Sequence, residues 1–243
     1  MTKSKVYQKR FYREWSKDTD LIAQEVIVKE TDLFIFAEKD IKNIAEDIVK
    51  RYRKEIEDYI KKRPEFMTSL EPIRNDPMAS DIIKEMIRTT GLAGVGPMAS
   101  VAGAIDDFLG NDLLSYSKQV IIENGGDIFI KSGKVRTVAI YAGDSPLSNK
   151  IFIKIKPEDT PLGICTSSGT VGHSLSFGKA DACVIIAKSA TLADAVATAT
   201  CNRIKEKKDI APSLEFALSI KGVKAAVVIL GKELGSIGDI ELT

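Results

Sequence analysis

The sequence predicts an α+β fold with a mostly antiparallel sheet and long packed helices, on three observations. Short apolar runs joined by hairpin-length loops read as strands, stretches of three-and-four apolar spacing interleaved with them read as helices, and 243 residues at 44% hydrophobic content can bury a full core. Neither a Gly-x-Gly-x-x-Gly turn after a first strand nor a P-loop is present, which takes support from the ordinary dinucleotide and nucleotide folds.

Composition restricts the partners. With 35 Lys and Arg against 34 Asp and Glu, no global field draws in nucleic acid or an anionic membrane, so neither is expected and an anionic ligand must be held locally. The first residues, Met1-Thr-Lys-Ser-Lys5, lead into polar and aromatic positions without an apolar signal core, and no run of about 18 apolar residues follows. The expectation is a cytoplasmic protein. Cys165, Cys183 and Cys201 are far apart and lack Cys-x-x-Cys spacing, which predicts free thiols.

Taken in order, residues 6–15 and 25–36 read as strands, the latter as two runs split at Lys29-Glu-Thr-Asp32. Over residues 38–62, Ile41, Ile44, Ala45, Ile48, Val49, Tyr52, Ile56, Tyr59 and Ile60 form one face of a long amphipathic helix that Pro64 ends. Its basic clusters are interleaved with acids and read as a solvated face. Residues 64–77 form a loop and 81–89 a second helix, and the small-residue run 91–105 turns helical after Pro97, a residue suited to a helix's first turn. Residues 119–130 read as strand, tight turn, strand, and 135–141 and 151–155 continue the meander. A buried strand at 181–187, helices at 192–204 and 213–219, and a last core strand at 225–230 complete the series.

Four segments carry chemistry. Asn124-Gly-Gly-Asp127 can bring turn amides close to a ligand with a polar side chain on either side, or be a plain hairpin turn. Thr166-Ser-Ser-Gly169, followed by the only histidine, His173, offers hydroxyls and amides to phosphate oxygens, with His173 as a general base or ligand anchor. A serine-hydrolase reading fails for want of a nucleophile elbow. Asp194 and Thr198 share one helix face four residues apart, a hard-oxygen pair for Mg²⁺ or an acidic group complementing a helix dipole. Small residues around Ala99, Ala102, Gly103 and Ala104 permit close helix packing, or a helix start facing an anion. Cys165, at the mouth of the 166–173 segment, is a small apolar filler or a thiol for sulfur chemistry.

Together and in this order, Gly94 to Ile105, Asn124-Gly-Gly-Asp127, Thr166-Ser-Ser-Gly169 with His173, and Ala193-Asp-Ala-Val-Ala-Thr198 resemble the ApbE superfamily, relatives of FAD:protein FMN transferase. The closest likeness is to a cytoplasmic branch carrying Thr-Ser-Ser-Gly-Thr-Val-Gly-His-Ser-Leu-Ser-Phe-Gly-Lys-Ala-Asp. The resemblance implies a T-fold-like architecture with a ligand cleft and one domain over 1–243; a division into pseudo-equivalent lobes meeting near 110–150 is left open. It implies Asp194 and Thr198 as Mg²⁺ ligands, with Asn124, Gly125, Gly126, Asp127, Thr166, Ser167, Ser168 and Gly169 lining the cleft and His173 and Asp194 in catalytic roles. The ligand would be a small phosphate-bearing molecule, FAD or FMN among the candidates, and the chemistry transfer or hydrolysis at a pyrophosphate. The alternatives are a non-catalytic flavin or nucleotide binder and sulfur chemistry at Cys165, and a homo-oligomer is left open. Two departures stand out: Met98 and Ser100 where the transferases carry a lysine, and Ser-Leu-Ser-Phe after His173 where they carry His-x-x-Asp-Pro.

Overall fold

A computed structural model describes residues 20–171 and 176–243; the strand expected at 6–15 lies outside the described residues. Eight strands form one sheet in the order β1 (Ile22–Val28), β2 (Thr31–Ala37), β3 (Val120–Asn124), β4 (Asp127–Lys131), β7 (Leu162–Ser167), β8 (Ala182–Ala187), β9 (Val223–Leu230) and β10 (Glu233–Gly238). Every pairing in it is antiparallel, as expected. The strands at 135–141 and 151–155 do not continue this sheet. They are β5 (Arg136–Ala139) and β6 (Phe152–Ile155), which with β11 (Glu241–Leu242) make a separate three-stranded sheet.

That small sheet covers one face of the large one, and the helices cover the other. Side chains alternate across each strand, so Ala182, Val184 and Ile186 of β8 pack with Ile153 and Ile155 of β6. Cys183, Ile185 and Ala187 pack against helix α5 (Ala190–Arg203) and helix α6 (Ile210–Ser219). Burial on both faces explains why β8 and β9 are apolar runs rather than alternating ones. Farther along the sheet, Leu33, Ile35, Ile122 and Phe129 meet Ala45 and Val49 of α1 (Lys42–Lys62) and Leu109 and Leu113 of α4 (Val101–Leu113). Each fully buried Leu, Ile or Phe here contributes ~1.5–3 kcal/mol.

Helix extents differ from the sequence reading at their ends. The long helix begins at Lys42, the 64–77 loop contains the short α2 (Glu65–Thr68), and α3 runs Asp81–Ala93 through Gly91 because Ile87, Thr90 and Ala93 keep its inner face buried. A 3₁₀ turn at Pro97–Ser100 leads into α4, and α5 begins two residues early, at Ala190. The larger correction concerns residues 162–167. The sequence reading assigns no strand there, yet it is β7, a central strand paired with β4 and β8, so Thr166 and Ser167 belong to the sheet. Among the described residues no single helix is long and apolar enough to cross a membrane.

Candidate functional site

Helices α4 and α5 begin side by side, and each is capped by an aspartate of the other. Asp107 of α4 accepts hydrogen bonds from the α5 amides of Ala190 (2.8 Å) and Thr191 (2.7 Å) and from the Thr191 hydroxyl (2.6 Å). Asp194 of α5 accepts from the α4 amide of Gly103 at 3.0 Å and also from that of Ala102. Ser189 completes the α5 cap through Leu192 N–H. The first amides of a helix have no partner within it and carry the positive end of its dipole, so carboxylates are well placed there. Asp194 therefore complements the start of α4, not that of its own helix. A β-carbon on Gly103 would lie 2.2 Å from the Ala190 carbonyl oxygen, so only glycine lets the two starts approach this closely.

The β3–β4 turn abuts this junction. Gly125 and Gly126 take φ of 70° and 111° between the paired Asn124 and Asp127. Asn124 Nδ2 donates to Asp106 Oδ1 at 3.1 Å and to the Ala102 carbonyl at 3.4 Å, tying the turn to α4. Thr166 N–H of β7 donates to Asp127 Oδ1 at 3.3 Å. The structure thus brings together Asn124, Asp127, Thr166 and Asp194. It does not hold the glycine amides ready for a ligand: those of Gly125 (2.8 Å) and Gly126 (3.3 Å) donate to Glu123 Oε1.

The resulting pocket of charge is acidic. Burial, then Asp127, push Asp194 well above the usual carboxylate range, although its two amide donors pull the other way. Burial pushes Asp107 up to about 6 against its three donors. Asp106 is fully buried, and burial, then Asp127, push it well above that range too.

The remaining predicted residues are placed differently. Ser167 is buried in β7, opposite Cys183. Ser168 Oγ accepts from Thr170 and Val171 N–H at 3.1 and 2.9 Å, so it caps its own loop, and Gly169 N–H donates to the Ala180 carbonyl. Thr198 is half-buried one turn beyond Asp194. His173 lies outside the described residues. Cys165 is not at a loop mouth: it is fully buried in β7, its thiol donates to the Ala190 carbonyl at 3.3 Å, and burial followed by the surrounding carboxylates pushes it well up. A nucleophilic or sulfur-carrying role needs an exposed thiolate, so this overturns the sulfur alternative.

Sequence reading missed Asp106 and Asp107. Their signal was an acidic pair inside an otherwise small and apolar helix, where a charge must find partners. It also missed a cleft of about 640 Å³ whose lining includes Tyr52, Lys84, Arg88, Phe108 and Lys188, and none of the predicted site residues. Asp107 borders that cleft but is already committed to the start of α5.

The fit to a metal follows from the donors. Among the described residues no group of three His, Cys, Asp or Glu side chains is arranged to hold a metal ion, which argues against a closed protein cage. Mg²⁺ needs less: one or two carboxylates, with substrate phosphates and water as the remaining ligands. Asp194 keeps acceptor capacity beyond its amide bonds, Thr198 follows one turn on, and the charged groups acting on Asp194 are acids. This hard-oxygen set fits Mg²⁺ in that sparse mode.

Comparison with known proteins identifies the family. A family model described as AbpE bacteria matches residues 13–235. A UPF0280 protein of Methanococcus aeolicus is 42% identical over 226 residues, covering 90% of this chain and 91% of its own. One from Methanocaldococcus jannaschii is 40% identical over 223 residues, covering 89% and 91%. Among solved structures, the flavin transferase ApbE of Vibrio cholerae superposes with a TM-score of 0.59 at 14% identity over 90% of this chain and 97% of that one. The flavinyl transferase ApbE of Pseudomonas stutzeri gives 0.58 at 14% identity over 90% and 94%. At that identity the solved structures establish the shared fold, and the sequence matches establish the kinship: the chain belongs to the ApbE-like family, alongside the UPF0280 proteins.

Proposed function

We propose that this protein binds a flavin nucleotide, FAD or FMN, at the junction of α4, α5 and the β3–β4 turn, with Mg²⁺ held by Asp194 and Thr198 against the ligand's phosphates. The observation that carries the reading is the convergence of Asp194, Asn124, Asp127 and Thr166 from four separate elements, on the fold of named flavin transferases. Bound Mg²⁺ would offset phosphate charge beside these acids and stabilise charge developing on a pyrophosphate. The chain's own residues then do the rest. Asp194 orients the metal-side face because Gly103 N–H fixes its carboxylate, and Asn124 is fixed by Asp106. His173 is the proposed proton carrier, and the reaction class is transfer of, or hydrolysis at, a phosphate-bearing group.

A second reading, ligand binding without turnover, draws on Ser100. This residue stands near where the transferases carry a lysine, is buried, and spends its hydroxyl on the Pro97 carbonyl at 3.0 Å. Flavin fluorescence titration separates the metal claim from the rest. With Asp194→Asn, folded by circular dichroism, binding should lose its Mg²⁺ dependence; dependence equal to that of the unchanged chain would remove Asp194 from the metal site.

A further inference from the structure

Asp106 is a carboxyl group that the proposed function does not use. It has no exposure to solvent. Its Oδ1 accepts from Asn124 Nδ2 at 3.1 Å, whereas its Oδ2 is buried without a hydrogen-bond partner among the described residues. The groups around it are named by element: Glu123 and Asn124 on β3, Asp127 on β4, Cys165 on β7 and Asp107 on α4 itself. Asp194 on α5 adds a carboxyl acting on the same Cys165 thiol. The charged groups in this set are all acids.

An ionised carboxylate in this position would carry an unpartnered, desolvated oxygen among like charges, which is among the most unfavourable arrangements a protein interior can hold. The protonated acid removes the charge, and its carbonyl oxygen still accepts from Asn124. Burial and the Asp127 carboxylate act in the same direction.

We propose that Asp106 is protonated at neutral pH and acts as a positioning residue, its uncharged carboxyl anchoring the Asn124 side chain at the ligand turn. The protonation state stands on the ligand-free geometry; the positioning of a ligand rests on the flavin reading above.

Infrared spectroscopy of the ligand-free full chain at neutral pH tests the first part. A carboxylic-acid carbonyl band that disappears in Asp106→Asn is the expected result; a spectrum in which Asp106→Asn removes no such band overturns the proposal. The positioning role is read by fluorescence titration with FAD and Mg²⁺. Asp106→Ala should weaken binding by about tenfold, the equivalent of one lost hydrogen bond, and the neutral isostere Asp106→Asn should restore most of that loss. Equal losses in the Ala and Asn variants would mean that the charged form matters, and would overturn the proposal. If the unchanged chain binds no FAD, the flavin reading has failed and the infrared result alone decides the state of Asp106.

Discussion

Replacing Asp107 with Asn probes the α4–α5 junction through its pH dependence. Asp107 is 6% exposed and holds the start of α5 with three hydrogen bonds. Desolvation outweighs those donors and moves the carboxyl from an ordinary 3.8 up to about 6 in the folded state. Because the folded value is the raised one, the folded protein holds this proton more tightly than the unfolded chain. The resulting stability is fully present below the unfolded value and is lost as pH rises through about 6. At 1.36 kcal/mol for each unit the shift is worth ~3 kcal/mol. Asn cannot titrate, so urea unfolding of both proteins from about pH 4 to about pH 7 isolates the effect. The unchanged protein should lose ~2 kcal/mol of this relative to Asp107→Asn across that window, because at about pH 4 the unfolded group is already partly ionised. A constant difference would show that the three donors balance desolvation, and one that moves in favour of Asp107 as pH rises would show that they outweigh it; either would refute the reasoning.

Other consequences are direct. Asp194→Ala removes the cap on Gly103 N–H and should cost ~1–2 kcal/mol in denaturant unfolding; no cost would mean that the cap is not a source of stability. Gly103→Ala places a β-carbon 2.2 Å from the Ala190 carbonyl and should cost ~1–3 kcal/mol by thermal unfolding, whereas an unchanged midpoint would show that the helix starts can separate freely. Cys165, fully buried and hydrogen-bonded, should resist alkylation in the native protein and react only on unfolding; rapid native labelling of Cys165, located by peptide mapping, would contradict its placement in β7.

Much of the fold was legible because its signals are local. The three-and-four spacing through Ala45, Val49, Tyr52, Ile56 and Tyr59 gives α1 its buried face, and the apolar runs of β8 and β9 announce strands covered on both sides. β7 was not legible, since Gly163 and Ser167 interrupt the short Leu-Gly-Ile-Cys-Thr-Ser run and only pairing with β4 and β8 makes it a strand. The same limit hid the split into two sheets, since β5 and β6 pair with each other and with the C-terminal β11 instead of with the large sheet. The sequence singled out the candidate residues at 124, 127, 166 and 194, which the fold brings together, but not their hydrogen-bond partners. That Glu123 occupies the glycine amides, or that Asp107 and Asp194 cap each other's helices, is set by tertiary packing between segments more than 80 residues apart in the second case.

The central claim is metal-dependent flavin binding at the Asp194 junction. The most direct measurement is isothermal titration of the full chain with FAD, with and without Mg²⁺, followed by chromatography of the mixture. Saturable binding that strengthens with Mg²⁺ is the predicted result, with AMP in the chromatogram marking the catalytic form of the account and intact FAD the binding-only form. No heat of binding for FAD or FMN in the presence of Mg²⁺ would contradict it.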